Sequence, residues 1–290
     1  MFNRLACLPQ ILVLLTLSTP ITAQSFSAET DVWLQKVNPS GALDDGESCD
    51  SGGTELCASS SGGGVYAGGL VSFENGNQLY LDFTYDEHGE THSNPSSRND
   101  NARYHGYGLH YSLGNPKSPW GIFATWANAN NNADDEHGGP LFGIGVEKAW
   151  GNTFVQAGYM HMADDGLDPD HDGIEDMTYM NIGHSRPLFK GLLTGNLAAG
   201  FGDFEESSDH DDGEWLQFGL RYQQPISERL DWFVGYQGDF VRVGRTLIDE
   251  QATFHSVYFG LSLSFGNKTR SRFKTPNFRA PIVNAGEMNS

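Results

Sequence analysis

From about residue 64 to residue 265, polar and apolar residues alternate with a period of two. In QLYLDFTYD, Leu79, Leu81, Phe83 and Tyr85 share one face, and Tyr80, Asp82, Thr84 and Asp86 share the other. YGLHYSL, EWLQFGLRYQQ and SVYFGLSLSF repeat the pattern, with Leu109, Leu220 and Phe259 on the apolar side and His110, Arg221 and Ser262 opposite. Such a period places each set on one face of a β-strand, and helical spacing is sustained nowhere in this region. The connections alternate as well. Tight turns at 74–77, 114–118, 150–152, 187–191 and 225–229 are interleaved with longer polar stretches at 86–102, 129–139, 164–176, 203–213 and 244–252. In an antiparallel meander this sends every tight turn to one end and every long connection to the other.

The alternating runs predict eleven strands, and AETDVWLQKV (28–37) a twelfth. Pairing of that strand with the last one closes the sheet and leaves no unpaired edges. The expectation is an all-β, transmembrane, antiparallel up-and-down β-barrel of about twelve strands, with short periplasmic turns and long acidic outer loops. The competing fold is a soluble sandwich or lipocalin-like barrel with its apolar face inward. Against it, the polar face is rich in Gly, Gln, Asn, Ser and Tyr, and tryptophans (Trp120, Trp126, Trp150, Trp232) fall near strand ends as interfacial girdles do. Trp215 falls in register with the inward set instead.

Residues 1–23 read as a secretory signal: Arg4 supplies the positive end, ILVLLTL the apolar core, and ITA the cleavage site. Cys7 leaves with it. Cys49 and Cys57, inside a Gly/Ser-rich stretch of the 24–63 segment, are then expected to form one loop-pinning disulfide. The meander fills 64–265. A tail, 266–290, follows with Lys268, Arg270, Arg272, Lys274 and Arg279, five of the chain's 17 basic residues. It is expected on the periplasmic side, disordered, with threading into the lumen or contact with peptidoglycan as alternatives.

The stretch YFGLSLSF, with Tyr258, Gly260, Leu263 and Phe265, matches the assembly signal of outer-membrane barrels. With the leader and the meander, most of the mature chain resembles Gram-negative porin-like outer-membrane proteins. The resemblance implies a barrel whose last strand ends at Phe265; this chain departs by running on for 25 residues.

The formal charge of −20 argues against nucleic acid as a partner. DPDHDGIED (168–176) sets Asp168, Asp170 and Asp172 at alternate positions before Gly173, with Glu175 or Asp176 to close a Ca²⁺ cage. The position that should hold the twelfth-place glutamate of an EF-hand is Tyr179, so the alternative is a solvated acidic crown. Three other polar connections pair acid with histidine: Asp86–His88, Asp134–His137 and Asp209–Asp212. No other cofactor is implied.

Extending the inward register gives Glu74, Asp82, His110, Glu147, Arg221, Gln237 and Asp239 as pore-lining residues. Acids outnumber bases among them, which favours cations. Aromatic residues packing into inward glycine gaps would instead fill the lumen. The expected function is a porin-like channel for small cations or neutral solutes, with outer-membrane lipid and lipopolysaccharide as its surroundings. The alternatives are a non-conducting adhesion or surface-stabilising barrel and an omptin-like hydrolase. No nucleophile, base and orienting group assemble from the sequence, so no enzyme is expected.

Overall fold

The structure, a computed structural model, describes residues 23–41, 60–89, 101–113, 118–131, 141–162, 173–206, 209–244, 249–266 and 275. Residues 1–22 of the expected leader, Cys49 and Cys57 lie outside these residues. Twelve strands form one closed antiparallel barrel. They are β1 (Ala23–Gly41), β2 (Ser60–Phe73), β3 (Gln78–Gly89), β4 (Asn101–Leu113), β5 (Trp120–Asn131) and β6 (Leu141–Trp150), followed by β7 (Thr153–Met162), β8 (Gly173–Leu188), β9 (Gly191–Glu206), β10 (Asp209–Pro225), β11 (Leu230–Gly244) and β12 (Asp249–Gly266). Each strand pairs with its sequence neighbours, and β1 closes on β12 from Ser27↔Gly266 to Gly41↔Ala252. The predicted strand at 28–37 is the core of β1.

The faces sort as the alternation requires. Along β6, Leu141, Gly143, Glu147 and Ala149 are buried, while Phe142, Ile144, Val146 and Trp150 are exposed. The same outward exposure of Leu34, Leu81, Leu216, Leu220 and Phe259 continues around the wall. In water, apolar exposure on this scale marks a surface that contacts something else; on a closed barrel it is the lipid belt.

The belt has a visible upper limit. Register aligns His161 with Asp176, Asp176 with Asp203, and Asp203 with Asp212, one row across β7 to β10. Phe201, 67 % exposed, points outward two residues below Asp203. Three aspartates facing outward in a row cannot sit in hydrocarbon, so on these strands the hydrocarbon layer ends below that row. On the same wall Glu214, paired with Phe201 across β9 and β10, forms an exposed ion pair with Arg242 at 3.7 Å.

At the long-connection end the strands run further than the sequence pattern predicts. β9 reaches Glu206 and β10 starts at Asp209, so most of the expected 203–213 loop is strand, as is much of 244–252. Likewise Asp86, Glu87 and His88 belong to β3, and Glu175 and Asp176 to β8. The physical reason is that antiparallel pairing needs only backbone groups. Above the membrane both faces are wet, the polar–apolar alternation disappears, and strand looks like loop. A crossing strand needs roughly 9–11 residues. β6 and β7 have 10 each, whereas β1 has 19 and β12 18, so the surplus stands above the bilayer.

At the other end the connections are tight. β6–β7 and β8–β9 are two-residue hairpins whose first turn residue has positive φ, Gly151 at 56° and Phe189 at 50°. That is the first-position φ of the primed hairpin turns that match strand twist. Phe189 adopts it without glycine's freedom and is 92 % exposed.

Candidate functional site: the barrel interior

Interior side chains divide into two groups on opposite walls. On β3 to β8, polar residues link neighbouring strands into a relay. His110 Nδ1 lies 2.8 Å from Glu147 Oε2, and His110 Nε2 lies 3.5 Å from Asp82 Oδ2, all three side chains being almost completely buried. Gln156 donates to Glu147 at 3.3 Å, and Asn181 donates to Gln156 at 2.9 Å. Ser112 adds a long contact to the other Glu147 oxygen at 3.5 Å. Tyr80 and Phe123 flank the imidazole, each ring centroid 5.6 Å away. With a carboxylate at each ring nitrogen, His110 can donate to both only as an imidazolium.

The opposite wall is built around a bridge that passes over two strands. Arg221 on β10 donates to Asp31 on β1 at 2.6 Å and to Gln223 at 3.2 Å, and its guanidinium lies 3.7 Å above the Phe233 ring. Gln223 continues to Asp231 at 2.7 Å. Further up, Gln217 and Gln237 donate to the two oxygens of Asp239 at 2.7 and 2.8 Å, with the Trp215 indole at 3.4 Å. Trp215 is thus inward, in the register its position predicts, and 2 % exposed.

Between the walls lies a cavity of ≈ 190 Å³ lined by Asp31, Trp33, Gln35, Asp86, Arg221 and Phe233 among others. Gln35 donates to Asp86 at 2.5 Å across its upper side. The Ser256 hydroxyl, on a residue 2 % exposed that also lines the cavity, has no hydrogen-bond partner.

Asp82, His110, Glu147, Arg221, Gln237 and Asp239 all face this interior. Glu74 does not. It lies exposed in the turn after β2, where Gly76 N–H donates to Phe73 C=O at 3.0 Å. The strand ends at Phe73, so its inward parity does not extend to Glu74. Glu29, Asp31, Gln35 and Asp86 are buried interior residues that the sequence-derived set omits. The signal for the first three was present in AETDVWLQKV, where Glu29, Asp31 and Gln35 alternate against Val32 and Leu34, and Asp86 stands on the polar face of QLYLDFTYD.

Of the tail, Thr275 alone is described, and it lies inside the barrel. Its N–H donates to Asp82 Oδ2 at 2.9 Å and its hydroxyl to Asp82 Oδ1 at 2.8 Å, with His110 Nε2 3.2 Å from the same hydroxyl.

Of the expected Ca²⁺ ligands, Asp168, Asp170 and Asp172 lie outside the described residues. Glu175 is the extra residue of a β-bulge between Ile174 and Asp176, a device that re-aims side chains. Asp176 accepts a hydrogen bond from Tyr159 at 3.1 Å and stands opposite Asp203. Among the described residues no group of three or more His, Cys, Asp or Glu is arranged to hold a metal ion.

A closed twelve-stranded wall, apolar outside and polar inside, with a charged row ending its belt, defines an outer-membrane β-barrel of the Gram-negative type. No protein-family model matches the chain, and no curated protein matches it in sequence. Several solved structures are similar to it. An outer-membrane channel of Pseudomonas putida F1 aligns with 86 % of this chain and 97 % of its own at 12 % identity and a TM-score of 0.52. OccAB1 of Acinetobacter baumannii aligns with 86 % of this chain and 100 % of its own at 8 % identity and TM-score 0.43. The outer-membrane protease OmpT of Escherichia coli aligns with 86 % and 100 % at 10 % identity and TM-score 0.31.

Proposed function

We propose that the protein is a narrow outer-membrane channel for small cations and neutral solutes. One observation carries this: the interior buries six carboxylates (Glu29, Asp31, Asp82, Asp86, Glu147 and Asp239), of which Asp31 and Asp86 line the cavity, against Arg221 and His110 as the interior bases among the described residues. Such a lumen attracts cations and repels anions. Hydroxyl and amide groups around the cavity suit neutral hydrogen-bonding solutes. The test is conductance of the purified protein in a planar bilayer, with reversal potentials under a salt gradient. Discrete cation-selective steps are expected; anion selectivity would overturn the proposal.

The outer acidic residues are read as a divalent-cation layer facing lipopolysaccharide. Support comes from the Asp176–Asp203–Asp212 row, since like charges directly opposite one another destabilise a sheet unless a cation lies between them. The loop aspartates Asp168, Asp170 and Asp172 would extend that layer, with Glu175 beside them. Calorimetric Ca²⁺ titration should weaken in Asp170→Asn/Asp172→Asn and in Asp203→Asn; unchanged binding in both would remove the cation role.

A second reading, a non-conducting surface barrel, is favoured by the aromatic filling. Tyr104, Phe123, Tyr179 and Phe233 are buried inside the wall, and Tyr179 covers Gly158 so closely that a Cβ there would meet its ring at 2.8 Å. Silence in the bilayer from a folded, heat-modifiable protein would decide for it.

A further inference from the structure

The cavity beside the Arg221–Asp31 bridge is lined by two polar groups that lack a partner. Ser256 lines it from β12, 2 % exposed, and its hydroxyl makes no hydrogen bond. Arg221 lines it from β10. It donates from its terminal nitrogens to Asp31 at 2.6 Å and Gln223 at 3.2 Å, and it stacks 3.7 Å from the centre of the Phe233 ring. Its buried Nε–H is left without an acceptor. Native proteins rarely leave buried polar groups so, because each unmade bond forfeits the solvation it had in water. A guest in the cavity would make good both deficits.

The two groups restrict what the guest can be. Nε–H only donates, so the guest needs an acceptor, and an ammonium ion has none. A carboxylate or phosphate has acceptors, but six buried interior carboxylates repel it. Asp31 and Asp86 border the same space, and a carboxylate has about four lone-pair sites, so groups that donate are accommodated as well. A hydroxyl does both: it accepts from Nε–H and donates to a carboxylate. Ser256 meets it in either role.

Size and shape narrow the class further. A volume of ≈ 190 Å³ is room for roughly six water molecules, so the guest carries several hydroxyls rather than one. Trp33 and Tyr258 also border the space. Each ring packs back onto an inward glycine: a Cβ on Gly64 would come within 2.2 Å of the Trp33 ring, and one on Gly235 within 2.2 Å of the Tyr258 ring. The glycines let both rings withdraw to the wall, which keeps the space open and gives it apolar sides. Every side chain in this set belongs to a barrel strand.

We propose that this cavity binds a neutral, ring-shaped polyol of monosaccharide size, its hydroxyls on Ser256, Arg221 Nε, Asp31 and Asp86 and its C–H face against Trp33. A ring is favoured over an open chain bearing the same hydroxyls because fewer rotors are lost on binding. The site names a solute class for the proposed channel, and its place in permeation rests on that reading; binding itself does not.

The test is saturation-transfer NMR on the folded full-length protein, in a detergent without sugar or choline groups. D-glucose is the probe, with D-sorbitol, its open-chain reduction product, and choline as comparisons. Glucose should bind saturably and about 3-fold or more tightly than sorbitol, with choline weaker still. Ser256→Ala should weaken glucose about 3- to 10-fold, as should Arg221→Lys, which keeps the charge but loses the Nε donor. Heat-modifiability of the folded band checks that both variants are intact. In the planar bilayer, glucose should reversibly block the wild-type current. Absence of saturable glucose binding overturns the site, whatever the conductance. Unchanged affinity in both variants overturns its location. Sorbitol binding as tightly as glucose overturns the ring requirement, and choline binding more tightly overturns the neutral class. Binding with a silent bilayer upholds the site and removes the channel. Binding with a current that glucose leaves unchanged overturns its place in permeation.

Discussion

The two interior walls solve the same problem, polar groups facing a narrow lumen, by different means. On β3 to β8 each polar residue bonds its neighbour on the next strand or the one beyond, and the carboxylates of Asp82 and Glu147 are fully satisfied in a dry relay. From β10 to β1 the bond passes over β11 and β12, with Arg221 reaching Asp31 beside the cavity, and its Nε has no hydrogen-bond partner. The first arrangement stiffens a wall; the second leaves space and a partly exposed guanidinium. Interior hydrogen bonds along one wall therefore serve the barrel's stability, and those across it leave a path open to change.

The largest effect is expected in the relay. Glu147→Ala withdraws an acceptor from His110, Gln156 and Ser112 at once in a dry site, a loss of about 3–5 kcal/mol. The urea midpoint for conversion of the heat-modifiable folded band should fall accordingly. A change under about 1 kcal/mol would show the relay to be wet and the contrast between walls false. Next, Leu220→Arg puts a charge on the lipid belt of β10 and should cost about 2–4 kcal/mol, with impaired insertion. Asp203→Arg, above the belt, should insert normally. Equal damage from both would move the membrane boundary. Arg221→Met should cost less, about 1–3 kcal/mol, because the stranded Asp31 carboxylate borders the cavity and water can reach it. It should also raise cation selectivity in the same bilayer assay, since a positive charge has left the lumen.

How much of this was legible in the sequence depends on where the two faces of a strand differ. Inside the membrane they differ sharply, so Leu81 against Asp82 and Leu109 against His110 reveal strand, face and register together. Closure through β1 was legible for the same reason. Above the membrane both faces meet water, and tracts such as Asp209–Asp212 carry no alternation although they are paired strand. Glu74 shows the opposite error, a parity carried past the residue where the strand turns. Thr275 had no signal at all. Its partner Asp82 is 193 positions away, and no period in the tail indicates that it enters the barrel.

The smallest effect is expected where the two walls join, at the hairpin of Phe189 and Lys190 between β8 and β9. A non-glycine residue at φ 50° costs about 1–2 kcal/mol, because its Cβ crowds the following carbonyl. With the side chain 92 % exposed, burial within the protein offsets almost none of that. Phe189→Gly should therefore stabilise the detergent-solubilised barrel by about 1 kcal/mol, read as a higher urea midpoint. In lipid vesicles the sign has a second contribution. An aromatic ring beside a periplasmic turn sits at headgroup depth, where interfacial aromatics anchor a barrel. If the gain seen in detergent persists in vesicles, the ring anchors nothing and the turn is simply strained. If it reverses, the strain is held against the membrane interface, and the junction of the two walls is set by the lipid rather than by the relay or the bridge.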